Sequence, residues 1–379
     1  MKEQITIDRD ALLQCFCDLV EVDNESLCER EMADAVTARL AALGLEVKED
    51  GAAQRIGGNA GNLYTFLPGR GALAAAEPIA FCAHLDSVSP ACKKRAVIGA
   101  DGSIASDGTT VLGADDLSAV AAMLTSVRLL RGSTVAHRPV ELLFTVCEEM
   151  YTLGSRAWRE DELPLRAKKI FVPDLTGRVG TAAIAAPTIL ALHITLTGRA
   201  SHAGFAPEAG IHAIAAAAKA LSRITLGHVD EETTVGIGTI HGGTVPNAVP
   251  EQCELEGEIR GYDDRRVWEQ AEKLKEIFAQ EAEALGAQVQ LDITERTRAY
   301  ATAPDAPIVQ MLHAACERVG IPMTLCRTFG GSDANTFAAR GYETLVLANA
   351  MENIHSVRES THIEEMTRLC QLFVELTIQ

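Results

Sequence analysis

PIAFCAHLDS (residues 78–87) is an apolar run that stops on a histidine and an aspartate, and the chain repeats the design twice: PVELLFTVCEE (139–149) stops on two glutamates and KKIFVPDL (168–175) reaches an aspartate. Between the first two lies LSAVAAMLTSVRLLR (117–131), whose apolar residues recur at helical spacing. Runs of Val, Ile, Leu and Phe separated by helices predict a sheet of parallel strands covered on both faces. Upstream, GNLYTFLPG (61–69) reads as a further strand. Residues 8–43 read as two helices, one with Leu12, Leu13, Phe16, Leu19 and Val20 on a stripe, the other with Met32, Ala35, Val36 and Leu40, stopped by Gly44. The pattern resumes near the end with the helix PIVQMLHAACERVG (307–320), the strand YETLVLAN (342–349) and a closing helix.

The character changes after about Arg178. LHITLTG (192–198), the Ala-rich helix GIHAIAAAAKALSRI (210–224), the strands TTVGIGTIHGG (233–243) and CELEGEIRGYD (253–263), a helix over about 265–285 and the strand QVQLDIT (288–294) follow in turn. This β-α-β-β-α-β order is that of a ferredoxin-like unit with an antiparallel sheet. The expected fold is therefore α/β: a mixed, mostly parallel sheet flanked by helices over 1–181 and 297–379, interrupted by an inserted α+β domain over 182–296.

The 379 residues (40.5 kDa) suit two domains, and 47% hydrophobic with 23% charged residues is ordinary globular composition. Fifty-two acids against 34 bases give a net charge of −18, with no dense Lys/Arg cluster, which argues against nucleic acid as a partner. The stretch 179–198 lacks charged residues, yet Pro187, His193 and several Thr make it loop plus strand rather than a membrane span. MKEQITIDRD has no apolar core of a signal peptide. The ten cysteines are scattered without a C-x-x-C pair, so reduced thiols are expected. Together these features predict a soluble cytoplasmic protein.

The candidate chemistry sits at strand ends. His84 and Asp86 form H-x-D; Asp115 and Asp116 sit in GADD before a helix; Glu148 and Glu149 end one strand; Asp174 ends another. Each has an ordinary alternative: a hydrogen-bonded pair, a helix cap, a solvated corner, a turn residue. Their force is their recurrence at the same end of successive strands, where α/β sheets bind ligands. A divalent metal would relieve the repulsion among the carboxylates, and imidazole plus carboxylate is a donor set that Zn²⁺ accepts.

The ordered motifs HLDSV, VLGADDLSAVAAML, FTVCEEMYTLGS, VPDLTG, SHAG-x-x-PE-x-G, HGGTVPNAVP, GGSDANTF and IHS resemble the M20 family of dinuclear zinc peptidases, most of all its peptidase T-like tripeptidase branch, over nearly the whole chain. The resemblance implies that His84, Asp115 and Asp174 hold one zinc and that Asp115, Glu149 and His355 hold the other, with Mn²⁺ or Co²⁺ as substitutes. It implies a cis peptide at Asp115–Asp116. Asp86 would fix the His84 tautomer, and Glu148 would serve as the general base. His202 would reach the site of a neighbouring subunit and help hold the oxyanion, making the inserted domain a lid and a homodimer interface. Asn247 and Arg260 would contact a short peptide substrate, Arg260 through its two-pronged donor face unless a salt bridge occupies it. Gly330, Gly331 and Ser332 would line the pocket.

Two departures bear on substrate. ENIHSVRES (352–360) is like the wider family rather than the best-studied tripeptidases, and Asp174 in place of Glu resembles the aminopeptidase and dipeptidase members. The expected activity is hydrolysis of tri- or dipeptides with release of the N-terminal residue. The alternatives are an N-acyl amino acid deacylase or carboxypeptidase-type amidohydrolase, and a non-catalytic dimeric binding protein on the same fold.

Overall fold

The computed structural model describes residues 5–379. It separates into two compact units, the first running to Ile184 and resuming over Ala301–Arg327 and Ser332–Gln379, the second comprising Ala185–Tyr300 and Thr328–Gly331.

The first unit is built on an eight-stranded sheet in the order Val47–Glu49, Leu63–Leu67, Val140–Thr145, Ile79–His84, Lys169–Leu175, Glu343–Ala348, Thr181–Ala183, Thr324–Cys326. The four central strands are mutually parallel, and antiparallel pairs appear only toward the edges. Ile79–His84 and Val140–Thr145 are buried at every position, which is why their sequences run apolar without alternation. The helix Ala114–Gly132 is buried almost throughout and packs against the strand Ile79–His84 and the helices Arg9–Val20 and Ile363–Thr377. Small residues along it let these neighbours approach closely. Phe81 closes this core, its ring 4.5 Å from Phe373 and 5.8 Å from Phe171. Because the central strands run the same way, the segments after His84, Thr145, Leu175 and Ala348 emerge at one end of the sheet. A small three-stranded sheet of Ala96–Ile98, Ser103–Ser106 and Ser360–His362 completes the unit.

The second unit has a five-stranded antiparallel sheet ordered Gly227–His228, Thr233–Gly242, Gln252–Gly261, Thr188–Thr197, Gln288–Thr297. Its helices Ala213–Leu221 and Asp264–Leu285 pack on the sheet through Ala217, Phe278, Val267 and Leu274, against Ile194, Leu255, Leu190 and Ile259. With the two-residue strand set aside, this is the ferredoxin-like arrangement. The Ala-rich helix is shorter than its sequence pattern predicts, beginning after His212, whose ring nitrogen caps it by accepting the Ala215 N–H.

Among the described residues no helix is long and apolar enough to cross a membrane. All ten cysteines are unpaired.

Candidate metal centre

Three of the segments leaving the parallel strands, the first turn of Ala114–Gly132 and the loop around His355 bring seven of the predicted residues together in the first unit. Asp115 lies at the middle. Its Oδ1 is 3.0 Å from His84 Nε2 and its Oδ2 is 3.4 Å from His355 Nε2, so the two carboxylate oxygens face two different imidazoles. Glu149 Oε2 lies 2.9 Å from the same His355 nitrogen. His84, Asp115 and Asp174 form one triad of donors and Asp115, Glu149 and His355 a second, with the donor atoms of each triad within 4.8 Å of one another. The Asp115–Asp116 peptide is cis.

Carboxylates and imidazoles perturb one another at this site. Burial, reinforced by neighbouring carboxylates, pushes Glu148, Glu149 and Asp174 above the usual carboxylate range. Asp115 goes the other way: burial alone would raise it, but the bonds from His355 and His84 outweigh that and lower it. His84 is held above the usual range because Asp115 and Asp86 overcome the burial penalty, and His355 is pushed up to about 10 by Asp115 and Glu149. Glu149 Oε1 is buried with no hydrogen-bond partner. An imidazole–carboxylate set with a buried unpartnered oxygen fits a pair of divalent cations sharing Asp115.

Asp86 approaches the His84 ring through both its main chain and its side chain. His84 Nδ1 is 2.9 Å from the Asp86 main-chain carbonyl and 3.4 Å from its carboxylate. The carboxylate also accepts the N–H groups of Glu148 and Glu149 at 2.9 and 3.2 Å and the Ser26 hydroxyl at 2.7 Å. Two residues that the sequence did not single out extend this: Asn62 Oδ1 accepts the Val146 N–H at 3.1 Å and Glu29 Oε1 accepts the Cys147 N–H at 3.0 Å. Four consecutive amides from Val146 to Glu149 are therefore held by side chains from distant parts of the chain. Beneath His84, Asp116 accepts its N–H and the Asn349 side-chain amide, joining two strand ends. The loops that carry Glu149 and His355 include non-glycine residues with positive φ, namely Cys147, Tyr151 and Thr152 in one and Ala350, Asn353 and His355 in the other. Such backbone persists only where its surroundings over-determine it.

The remaining predicted residues are described within their own units. His202 is exposed in the second unit; its Nδ1 accepts the N–H groups of Gly204 and Phe205, which in the neutral ring leaves the proton on Nε2, and the Phe205 ring lies 4.2 Å from it. Asn247 is exposed on a turn, where its carbonyl accepts the Ala203 N–H. The fork of Arg260 is occupied by Glu258 at 2.7 and 2.9 Å, and its third nitrogen bonds the Phe329 carbonyl at 2.8 Å. Gly331 is closely packed, since an added Cβ would lie 3.0 Å from Ile189 and Thr297, whereas Gly330 is exposed. In the first unit Ser332 caps the helix Asp333–Ala339, its hydroxyl accepting the Ala334 N–H.

Residues 184–286 match the peptidase dimerisation domain, and residues 62–220 match peptidase family M28. The chain is 33% identical over 370 residues to the uncharacterised protein YqjE of Bacillus subtilis, covering 98% of both. Among solved structures it is similar to aminopeptidase PepT from Bacillus cereus (34% identity, TM-score 0.88, 98% of both chains) and to a tripeptidase from Staphylococcus aureus (30% identity, TM-score 0.92, 98% of both chains). An α/β unit with its donors at the carboxyl ends of parallel strands, interrupted by a dimerisation domain, places the protein among the peptide hydrolases. The chain belongs to the M20 family of peptidases, in its peptidase T-like branch.

Proposed function

We propose that this enzyme removes the N-terminal residue from short peptides, tripeptides and dipeptides foremost, with two Zn²⁺ ions held by the triads His84–Asp115–Asp174 and Asp115–Glu149–His355. The observation that carries the reading is the placement of Asp115, whose two oxygens face two histidines in two separate donor sets. When bound, the ions would acidify an attacking water molecule and polarise the scissile carbonyl. Asp115, Glu149 and Asp174 supply the negative charge that holds them. Glu148 belongs to neither triad and is nine-tenths buried beside Asp174; its raised proton affinity suits it to take a proton from the water and return it to the leaving amine. Asp86 keeps Glu148 and Glu149 in register through their main-chain N–H groups.

The Nε2–H left on His202 suits stabilisation of the tetrahedral oxyanion in the site of a second subunit, with the peptidase dimerisation domain as the homodimer interface and lid. A short free peptide as substrate agrees with a cytoplasmic setting. Arg260 can receive a peptide carboxylate only by exchanging it for Glu258. The test is a hydrolysis screen of the zinc-loaded protein on di- and tripeptides, N-blocked peptides and N-acyl amino acids. Release of the N-terminal residue from unblocked peptides is expected. Turnover of N-acyl amino acids alone would replace this reading with a deacylase, and no turnover of any class would leave a binding protein.

A further inference from the structure

Glu359 is 1% exposed, lies four residues beyond His355, and carries no assigned role. Its Oε2 accepts the N–H groups of Leu112 and Gly113, both at 2.8 Å, and its Oε1 accepts the N–H of Asp115 at 2.9 Å. One side chain thus satisfies three main-chain donors in the turn that delivers the shared carboxylate. Gly113 holds that turn at φ 78°. Glu359 is equally fixed at its own end. Its N–H donates to the Ser356 carbonyl, its carbonyl accepts the Ser106 N–H, and Glu352 and Ser360 exchange two main-chain bonds around the His355 loop. The same residue therefore grips the Asp115 turn with its side chain and the His355 loop with its backbone.

We infer that Glu359 is a positioning residue that sets the distance between Asp115 and His355 and so determines occupancy of the second triad. The inference rests on the metal reading proposed above. It predicts unequal effects on the two triads. His84 and Asp115 keep a separate tie, because His84 donates its N–H to Asp116, the next residue along the chain. Asp115 and His355 are tied less directly: apart from Glu359, the Asn349 amide that Asp116 accepts lies six residues before His355. Glutamine cannot replace it, since a carboxamide offers one acceptor oxygen and presents N–H donors where main-chain N–H groups already point. Aspartate keeps both oxygens but is one methylene short, so it should restore part of the function.

The experiment is a calorimetric titration of the metal-stripped full chain with ZnCl₂, for wild type, Glu359→Gln, Glu359→Asp and a control, Glu141→Gln. Glu141 is another buried carboxylate that accepts main-chain N–H groups, those of Arg166 and Ala167, and it contacts neither triad. Wild type should take up two ions. Glu359→Gln should bind one ion within about threefold of the wild-type affinity and the other at least about tenfold more weakly, with kcat reduced and KM little changed. Glu359→Asp should fall between them, and Glu141→Gln should bind both ions as wild type does. Two wild-type affinities in Glu359→Gln overturn the inference; if that variant does not fold, two wild-type affinities in Glu359→Asp overturn it. Equal weakening in Glu141→Gln also overturns it, because the loss would then follow from general destabilisation. A wild-type chain that binds fewer than two ions instead refutes the metal reading itself.

Discussion

Glu148 and Glu149 are neighbours in sequence, yet only Glu149 joins a donor triad. Glu148→Gln should therefore keep its metal, measured by elemental analysis, and lose at least about 10²-fold in kcat, the usual loss when a general base is removed. Retained turnover with full metal content would remove Glu148 from the mechanism. Lys94 shows a different consequence of burial. Its ammonium is 1% exposed and donates to the carbonyls of Val22 and Ala91 and to Asn24, and burial pulls its pKa down from 10.5 to about 8, opposed by Asp23 and, more weakly, by Cys92, Glu359 and Glu25. Between about pH 8 and 10.5 the unfolded chain still holds this proton while the folded one has released it, so this group's contribution to stability rises with pH across that window. Lys94→Met abolishes the titration. The stability difference between the two proteins, from urea denaturation at pH 7.5 and 10, should move in favour of wild type by on the order of 1–3 kcal/mol. At this scale the sequence was legible where a polar residue closes an apolar run, as at His84, Glu149 and Asp174. It was silent on Glu29, Asn62 and Glu359, isolated polar residues whose partners lie 84 to 247 positions away.

The segment Val146–Glu149 is an element without its own hydrogen-bonding ladder. Its four N–H groups go to Asn62, Glu29 and Asp86, so its shape is dictated by side chains from other parts of the fold. Removing an acceptor leaves buried donors unpaired, at about 1–3 kcal/mol each. Asp86→Ala should thus lose about 2–5 kcal/mol in urea denaturation. Ser26→Ala, which removes a hydroxyl donating to the same carboxylate, should lose less than about 1.5 kcal/mol. Comparable losses in the two variants would show that the amide bonds do not set the loop. Longer elements were readable because burial on two faces leaves an unbroken apolar run, as in Ile79–His84, and burial on one stripe leaves a helical period, as in Asp264–Leu285. The sheet of Ala96–Ile98, Ser103–Ser106 and Ser360–His362 left none. Its strands hold three or four residues, too few to show alternation, and Thr361 pairs with Ile104 far along the chain.

For the whole molecule, two bound Zn²⁺ ions would shift the net charge from −18 to about −14, with the added charge concentrated among the most crowded carboxylates. Stripping the metal should lower the unfolding temperature by roughly 5–15 °C in scanning calorimetry, and returning zinc should restore it. An unchanged transition would mean that the donor cluster is not a stability-linked site. If sites are shared between subunits, a mixture of His202→Ala and Asp115→Ala chains should recover part of the activity that each lacks alone. No recovery would confine the site to one chain. The division of the chain also imposes a schedule on synthesis. Lys169–Leu175 is a central strand whose parallel neighbour, Glu343–Ala348, is translated only after the entire second unit. At ~5–20 residues per second, its open edge waits on the order of ten seconds or more on the ribosome. The antiparallel unit, whose strands all lie within Ala185–Tyr300, can complete its sheet during that interval. Nascent chains should therefore gain a protease-resistant second unit before the peptidase sheet closes, and until then the open edge of Lys169–Leu175, paired only with Ile79–His84, is a place for chaperone cover during translation.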